Sequence, residues 1–146
     1  MAGGWRTGVL ALGVMAALSL LPAMAQETRH PEGSADARAL IERQFDALAR
    51  DDAPGAYAEA APNIAAIFPD AGAFLAMVRQ RYAPVYRHRS VEFGAAAIGA
   101  DTIEQVVTLV DPDNQVWKAL YRLSRQPDGT LLISACTLIR SDDESI

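Results

Sequence analysis

Histidine is the side chain most often used for proton transfer near neutral pH, and His88 is the only histidine in the part of the chain that we expect to fold. Strand alternation places His88 on the same side as Ser90 and Glu92, opposite Val91 and Phe93. The apolar side of such a strand faces the core. We therefore expect His88 to point outward and predict no catalytic role for it.

Three further sequence features could support chemistry, namely a cysteine, a run that begins like a calcium-binding loop, and the serines. Each lacks the neighbouring residues that its chemistry requires. Cys136 lies in a predicted strand, where no helix start lowers its pKa, and a single cysteine excludes an internal disulfide. The Asp-Pro-Asp-Asn run at 111–114 begins like a calcium-binding loop. It lacks the glycine at the sixth position, however, and has Arg122 at the twelfth instead of glutamate. No serine has a catalytic-triad motif around it. The sequence thus predicts no catalytic residue, no metal site and no cofactor.

Aromatic side chains that carry a polar atom are better candidates for a ligand pocket. They combine apolar surface with one hydrogen-bonding group, the mixture that is typical of small-molecule cavities. Gln105 adds an amide that could orient a ligand but cannot act as a general base; a core glutamine bonded to Tyr121 is the alternative. For each ring, ordinary core packing is the alternative. The candidate pocket residues are Tyr57, Tyr82, Tyr86, Gln105, Trp117 and Tyr121.

Four arginines cluster around the end of a predicted helix. The negative end of the helix dipole favours cations there, which explains them without a ligand. The functional alternative is a rim that binds a carboxylate or a phosphate. The candidate rim residues are Arg79, Arg81, Arg87 and Arg89.

The first 25 residues have the pattern of a secretory signal peptide. Arg6 precedes an apolar stretch over Val9–Leu21, and a small-x-small site then ends at Ala25. The stretch is shorter than the roughly 20 residues of a membrane anchor. We expect cleavage between Ala25 and Gln26, export to the periplasm or the exterior, and no membrane attachment afterwards.

Composition and charge restrict the class of protein that follows. A chain of 146 residues that is 51% hydrophobic and 21% charged fits one ordinary globular domain. Its 18 acidic side chains outnumber its 13 basic ones, giving a net charge of −5. An acidic surface repels phosphate backbones, so we expect no nucleic-acid partner.

The periodicity changes from helical to strand-like along the chain. Residues 26–33 have no periodicity and are predicted to be a flexible lead-in, a single α+β domain spans 34–140, and 141–146 form an acidic tail. Helices are expected near 34–48, 54–60, 62–68 and 70–83. The predicted strands are Val85–Ile98, Thr102–Val110, Gln115–Gln126 and Thr130–Arg140.

Two proline-containing turns, at 111–114 and 126–129, predict the register of the last three strands. Pairing across the first turn places Leu109 opposite Trp117 and Gln105 opposite Tyr121. Pairing across the second places Leu120 opposite Cys136. The side predicted to pack on the helices carries Trp117, Tyr121, Leu123, Ile133 and Ile139.

The opposite face of this predicted sheet is too apolar to stay in water. A second copy of the chain, forming a homodimer, would cover it, as would a terminal segment or the first strand folded over it. The predicted dimer face consists of Val106, Val110, Val116, Leu120, Leu132, Cys136 and Leu138.

Helices followed by a curved antiparallel sheet resemble the nuclear transport factor 2-like superfamily, also called the cystatin-like or cone-shaped α+β fold. More narrowly, the chain is similar to a bacterial family known as domain of unknown function 4864. The resemblance spans about Ala39 to Leu138, and it departs at Leu131, where such families tend to carry tryptophan. It rests on 41–48, Asp51-Asp52, 57–68, Met77-Val78, 82–86, 117–121 and 127–136.

This resemblance implies helices packed on a cone-shaped sheet, and it leaves two functions open because the superfamily contains both enzymes and binders. The first is a non-catalytic module that binds a small apolar ligand or a protein partner. The second is an isomerase- or dehydratase-type enzyme that uses a pocket inside the cone. The enzyme would need an ionisable group in that pocket, and the remaining candidates are Asp46, Glu59 and Asp70.

Overall fold

The computed structural model describes residues 35–144. The predicted signal peptide at 1–25, its cleavage site between Ala25 and Gln26, and the lead-in at 26–33 lie outside these residues. Helices come first in the described part: α1 (Ala35–Ala49), α2 (Ala53–Ala58), α3 (Pro62–Ala65), α4 (Ala71–Arg81) and α5 (Ala83–Tyr86). The strands follow: β1 (Ser90–Ile98), β2 (Thr102–Val110), β3 (Val116–Arg125) and β4 (Leu131–Arg140). Ser141–Glu144, in the predicted acidic tail, form a 3-10 turn.

The helices form where amphipathic spacing and polar caps allow them. The buried positions of α1 recur at helical spacing and include Leu40, Ile41 and Leu48. Asp52 caps α2 by accepting from Gly55 N, and Asp70 caps α4 by accepting from Ala73 N. None of the helices in the described residues has the length and apolarity needed to cross a membrane.

The predicted strand from Val85 begins too early. Pro84 lies inside the first turn of α5, where its missing N–H costs no hydrogen bond. Val85 N and Tyr86 N both donate to Tyr82 O, which closes this turn. As a result β1 begins only at Ser90.

The four strands form one antiparallel sheet in the order β1-β2-β3-β4. The register across the first turn is confirmed, with Leu109 opposite Trp117 and Gln105 opposite Tyr121. Asn114 and Gly129 adopt the left-handed conformation that both turns were expected to require, with φ of 63° and 88°. This layout is the predicted α+β class.

The register predicted for β4 is correct at Leu123–Ile133 and wrong beyond it. A bulge at Ser134 shifts the pairing by one residue, so Tyr121 lies opposite Cys136. The Ser134 hydroxyl donates to Arg122 O at 3.1 Å and holds this irregular pairing.

The bulge exchanges the faces of the residues that follow it. Cys136 and Leu138 lie opposite Tyr121 and Ala119 and therefore face the helices, so their assignment to the dimer face was wrong. Ile139, predicted to face the helices, lies opposite Lys118 on the outer side.

The outer face remains apolar after this correction. Val116 and Leu120 are 36% and 38% exposed, and β1 cannot cover them because it pairs with β2 inside the sheet. The homodimer stays a prediction. The outer face of the sheet, which would form its interface, carries Val106, Val110, Val116, Leu120, Leu132 and Ile139.

The inner face of the sheet packs on the helices through a continuous apolar core. Tyr121 is 2% exposed, and its ring centroid lies 6.3 Å from that of Phe45 on α1. Trp117 packs against the edge of the same core, so both aromatic residues face the helices as predicted.

Candidate functional site

A cavity of about 380 Å³ opens between helices α3–α5 and the bulged part of β4. Its volume lies at the lower end of the range for small-molecule sites, about 300–1,000 Å³. The bulge in β4 turns Cys136 toward this cavity, opposite Tyr121. The cavity is lined by Gln44, Ala60, Asn63, Ile64, Ile67, Phe68, Phe74, Met77, Val78, Arg81, Tyr82, Val85, Tyr121, Ile133, Ser134, Ala135 and Cys136.

Two of the six candidate pocket residues, Tyr82 and Tyr121, line this cavity. Tyr57 stands behind its wall, with its ring centroid 5.5 Å from that of Phe74. The Tyr57 hydroxyl donates to Ala65 O at 2.8 Å, so this side chain holds the α3–α4 connection in place.

Tyr86 and Trp117 instead line a second groove of about 600 Å³ on the other side of α5. Trp117 Nε1 donates to Asp111 Oδ2 at 2.9 Å, and this bond lowers the pKa of Asp111. The Tyr86 hydroxyl donates to Asp51. The polar atoms of both rings therefore already have protein partners.

Gln105 is buried between β1 and β3 and does not bond to Tyr121, so the alternative of a Gln105–Tyr121 hydrogen bond was wrong. Its Nε2 donates to Gly94 O at 2.9 Å and to Val106 O at 2.8 Å, where β1 bulges. Its Oε1 has no hydrogen-bond partner among the described residues.

The Tyr121 hydroxyl is the unusual polar atom of the cavity. It is buried and has no oxygen or nitrogen partner among the residues the structure describes. Burial, reinforced by the neighbouring Cys136, raises its pKa well above the ordinary value. Tyr121 is therefore a neutral hydrogen-bond donor at physiological pH.

Burial also keeps the two other titratable groups beside Tyr121 neutral. It raises the pKa of the Cys136 thiol to about 12, which leaves essentially no thiolate to act as a nucleophile. It raises the pKa of Tyr82, whose hydroxyl donates to Cys136 O at 3.2 Å. The sequence did not predict that Cys136 lines the cavity, because this position depends on the bulge at Ser134.

The four candidate rim arginines do not meet at one rim. Arg79 donates to Asp51 at 2.9 Å, and Arg87 donates to the same carboxylate and to Leu48 O. Hydrogen bonds from Tyr86 and then Arg79 lower the pKa of Asp51. Arg89, in turn, donates to Asn114. Arg81 is the member of the group that lines the cavity.

The carboxylates proposed for acid–base chemistry lie elsewhere. Glu59 pairs with Arg43 at 3.0 Å, Asp70 caps α4, and Asp46 does not line the cavity. In the described part of the chain, no Asp, Glu or His lines the cavity, and no group of three potential ligands is placed to hold a metal ion.

His88 also lies outside the cavity, but the prediction that it points outward was wrong. It precedes β1, so strand alternation does not apply to it. Its ring packs edge-on against Phe45, with a centroid distance of 4.8 Å, and Nδ1 lies 3.1 Å from Pro84 O.

Comparison with curated proteins gave no match. A family model described as a domain of unknown function, DUF4864, matches residues 31–146. Because this match covers most of the sequence and all of the described cavity, the chain belongs to the DUF4864 family.

Proposed function

We propose that this protein is an exported, non-catalytic module that binds a small apolar ligand in the cavity beside β4. Export is inferred from the signal-like pattern at 1–25. The order of helices and antiparallel strands is compatible with the cone-shaped nuclear transport factor 2-like fold, in which ligand pockets lie between the two layers.

The observation that carries the proposal is the buried Tyr121 hydroxyl on the wall of an apolar cavity, which has no oxygen or nitrogen acceptor among the described residues. A buried donor without an acceptor costs about 1–3 kcal/mol, so such groups are rare unless something else supplies the acceptor. A ligand with one carbonyl, ether or similar oxygen would satisfy Tyr121 and bury its apolar body against Phe68, Phe74 and Met77.

The titratable groups favour binding over an isomerase or dehydratase reaction. Such reactions need a base or acid whose pKa lies near the working pH. Tyr82, Tyr121 and Cys136 all have raised pKa values, and the described cavity wall has no carboxylate or imidazole. The wall can therefore orient a ligand but has no group suited to moving a proton.

The test uses the neutral, apolar fluorescent probe N-phenyl-1-naphthylamine. We expect saturable binding with one site per chain. Met77→Trp should abolish binding, because the larger ring fills the cavity that Met77 lines. Ala76→Trp is the matched control, since Ala76 is the exposed neighbour on α4 and does not line the cavity.

Two results would contradict the proposal. One is fluorescence that rises linearly with the probe and never saturates. The other is equal loss of binding in Met77→Trp and Ala76→Trp while both variants keep the thermal unfolding midpoint of the original protein.

A further inference from the structure

Arg81 differs from its neighbours Arg79 and Arg87 because its guanidinium has no acidic partner among the described residues. Arg79 and Arg87 bond to Asp51, and Arg43 bonds to Glu59. The side chain of Arg81 makes no hydrogen bond or ion pair with another described residue. It lies at the last turn of α4, where it borders both the cavity and the second groove that contains Asp111 and Asp113. A cation at an apolar wall is therefore left available for a ligand.

The charge of Arg81 acts on Tyr82, the neighbouring residue in the cavity wall. It lowers the pKa of Tyr82, against the larger raising effect of burial, so the guanidinium lies within electrostatic range of that partly buried side chain. The Tyr82 hydroxyl itself is bonded to Cys136 O on the cavity wall. Arg81 thus places positive charge where the apolar wall meets solvent.

The neighbouring polar side chains do not compete for a ligand anion. Asn63 Nδ2 donates to Ser134 O at 2.9 Å, and Gln44 Nε2 donates to Ala56 O at 3.3 Å. Among the described lining residues, the nitrogen and oxygen side-chain donors without an oxygen or nitrogen acceptor are those of Arg81, an exposed residue, and the buried Tyr121 hydroxyl.

We propose, building on the binding function proposed above, that the ligand is a small apolar monocarboxylate whose carboxylate pairs with Arg81 while its body fills the cavity. The planar guanidinium fork matches a carboxylate with two parallel hydrogen bonds. Arg81 is the single cation of the lining, and the whole chain has a net charge of −5, so the site suits one negative charge and disfavours a dianion.

The experiment compares octanoate with 1-octanol, which have the same chain length and differ in the charge of the headgroup. Both are titrated as competitors of N-phenyl-1-naphthylamine, which carries no charge. We expect octanoate to bind about five- to tenfold more tightly than 1-octanol at low salt. Arg81→Met should abolish the preference for octanoate, so that the ratio of the two affinities falls to about one.

Arg50→Met is the control, because it removes the same charge from an exposed turn outside the cavity. Equal affinities for octanoate and 1-octanol in the original protein would overturn the carboxylate proposal and leave the apolar binding function standing. An equal loss of octanoate affinity in Arg50→Met and Arg81→Met would also overturn it, because the preference would then come from overall charge. Absence of saturable binding by the probe and both competitors would overturn both proposals.

Discussion

Replacing Tyr121 with phenylalanine should stabilise the ligand-free protein, because it removes a buried hydroxyl that has no oxygen or nitrogen acceptor among the described residues. Tyr121 is 2% exposed, and its hydroxyl has no oxygen or nitrogen partner within the described residues, only the weakly accepting sulfur of Cys136 beside it. Leaving such a group unsatisfied costs about 1–3 kcal/mol, whereas the ring of phenylalanine keeps the packing against Phe45. We expect the free energy of unfolding to rise by about 1 kcal/mol, and hence Tm by about 4 °C for a domain of this size.

The assay is reversible thermal and urea unfolding of ligand-free protein, followed by circular dichroism. Tyr82→Phe is the matched control, because the Tyr82 hydroxyl donates to Cys136 O at 3.2 Å. Losing that bond should lower the free energy of unfolding by about 0.5–1.5 kcal/mol. The same chemical change, made at two neighbouring positions of one cavity, should thus move stability in opposite directions.

A Tyr121→Phe variant that is less stable than the original by 1 kcal/mol or more would refute this reasoning. The hydroxyl would then have a strong partner in the ligand-free protein, such as an ordered water. It would not be a donor waiting for a ligand, and the observation that carries the proposed function would be lost.

Two further predictions concern Cys136 and the outer face of the sheet. The Cys136 thiol has a pKa of about 12 in the folded protein, above its ordinary value near 9. Its contribution to the free energy of unfolding is therefore complete below about pH 9 and is lost as the pH rises toward 12. In urea unfolding between pH 7 and 11, the free energy of unfolding should fall more steeply with pH for the original protein than for Cys136→Ala. Parallel plots of the free energy of unfolding against pH would contradict the burial of the thiol. If a second copy covers the outer face, Leu120→Asp should convert a dimer into a monomer in sedimentation at high concentration, and a monomeric original protein would remove the dimer prediction.

The turns and the register between β2 and β3 were predictable because they depend on local chemistry. Asn114 takes a left-handed conformation that few side chains tolerate, which fixes the turn. Once the turn is fixed, alternation decides every pair, and a slip of one residue would move Leu109 and Trp117 to the solvent side.

The α5 turn and the wall of the cavity were not predictable in the same way. The segment from Pro84 suits either an extended strand or the first turn of a helix, and the structure closes the turn with bonds from Val85 N and Tyr86 N to Tyr82 O. Phe74 and Met77 are three residues apart, a spacing that places both on one side of a helix. Whether that side packs tightly or leaves a cavity depends on how α4 sits over β4, which no local pattern encodes.

The bulge at Ser134 shows how a single local feature decides the chemistry of this site. Without the extra residue, the alternation that starts at Ile133 would have continued, Cys136 and Leu138 would face outward, and Ile139 would lie beside Trp117. Two contacts make the bulge favourable: the Ser134 hydroxyl donates to Arg122 O, and Ile133 bonds through its backbone to the α2–α3 segment, with Ala61 N donating to Ile133 O at 2.8 Å. β4 therefore joins the helical layer at the point where its register changes. That junction turns the Cys136 thiol toward Tyr121, so a side chain that would otherwise lie on the outer face of the sheet becomes part of the cavity wall.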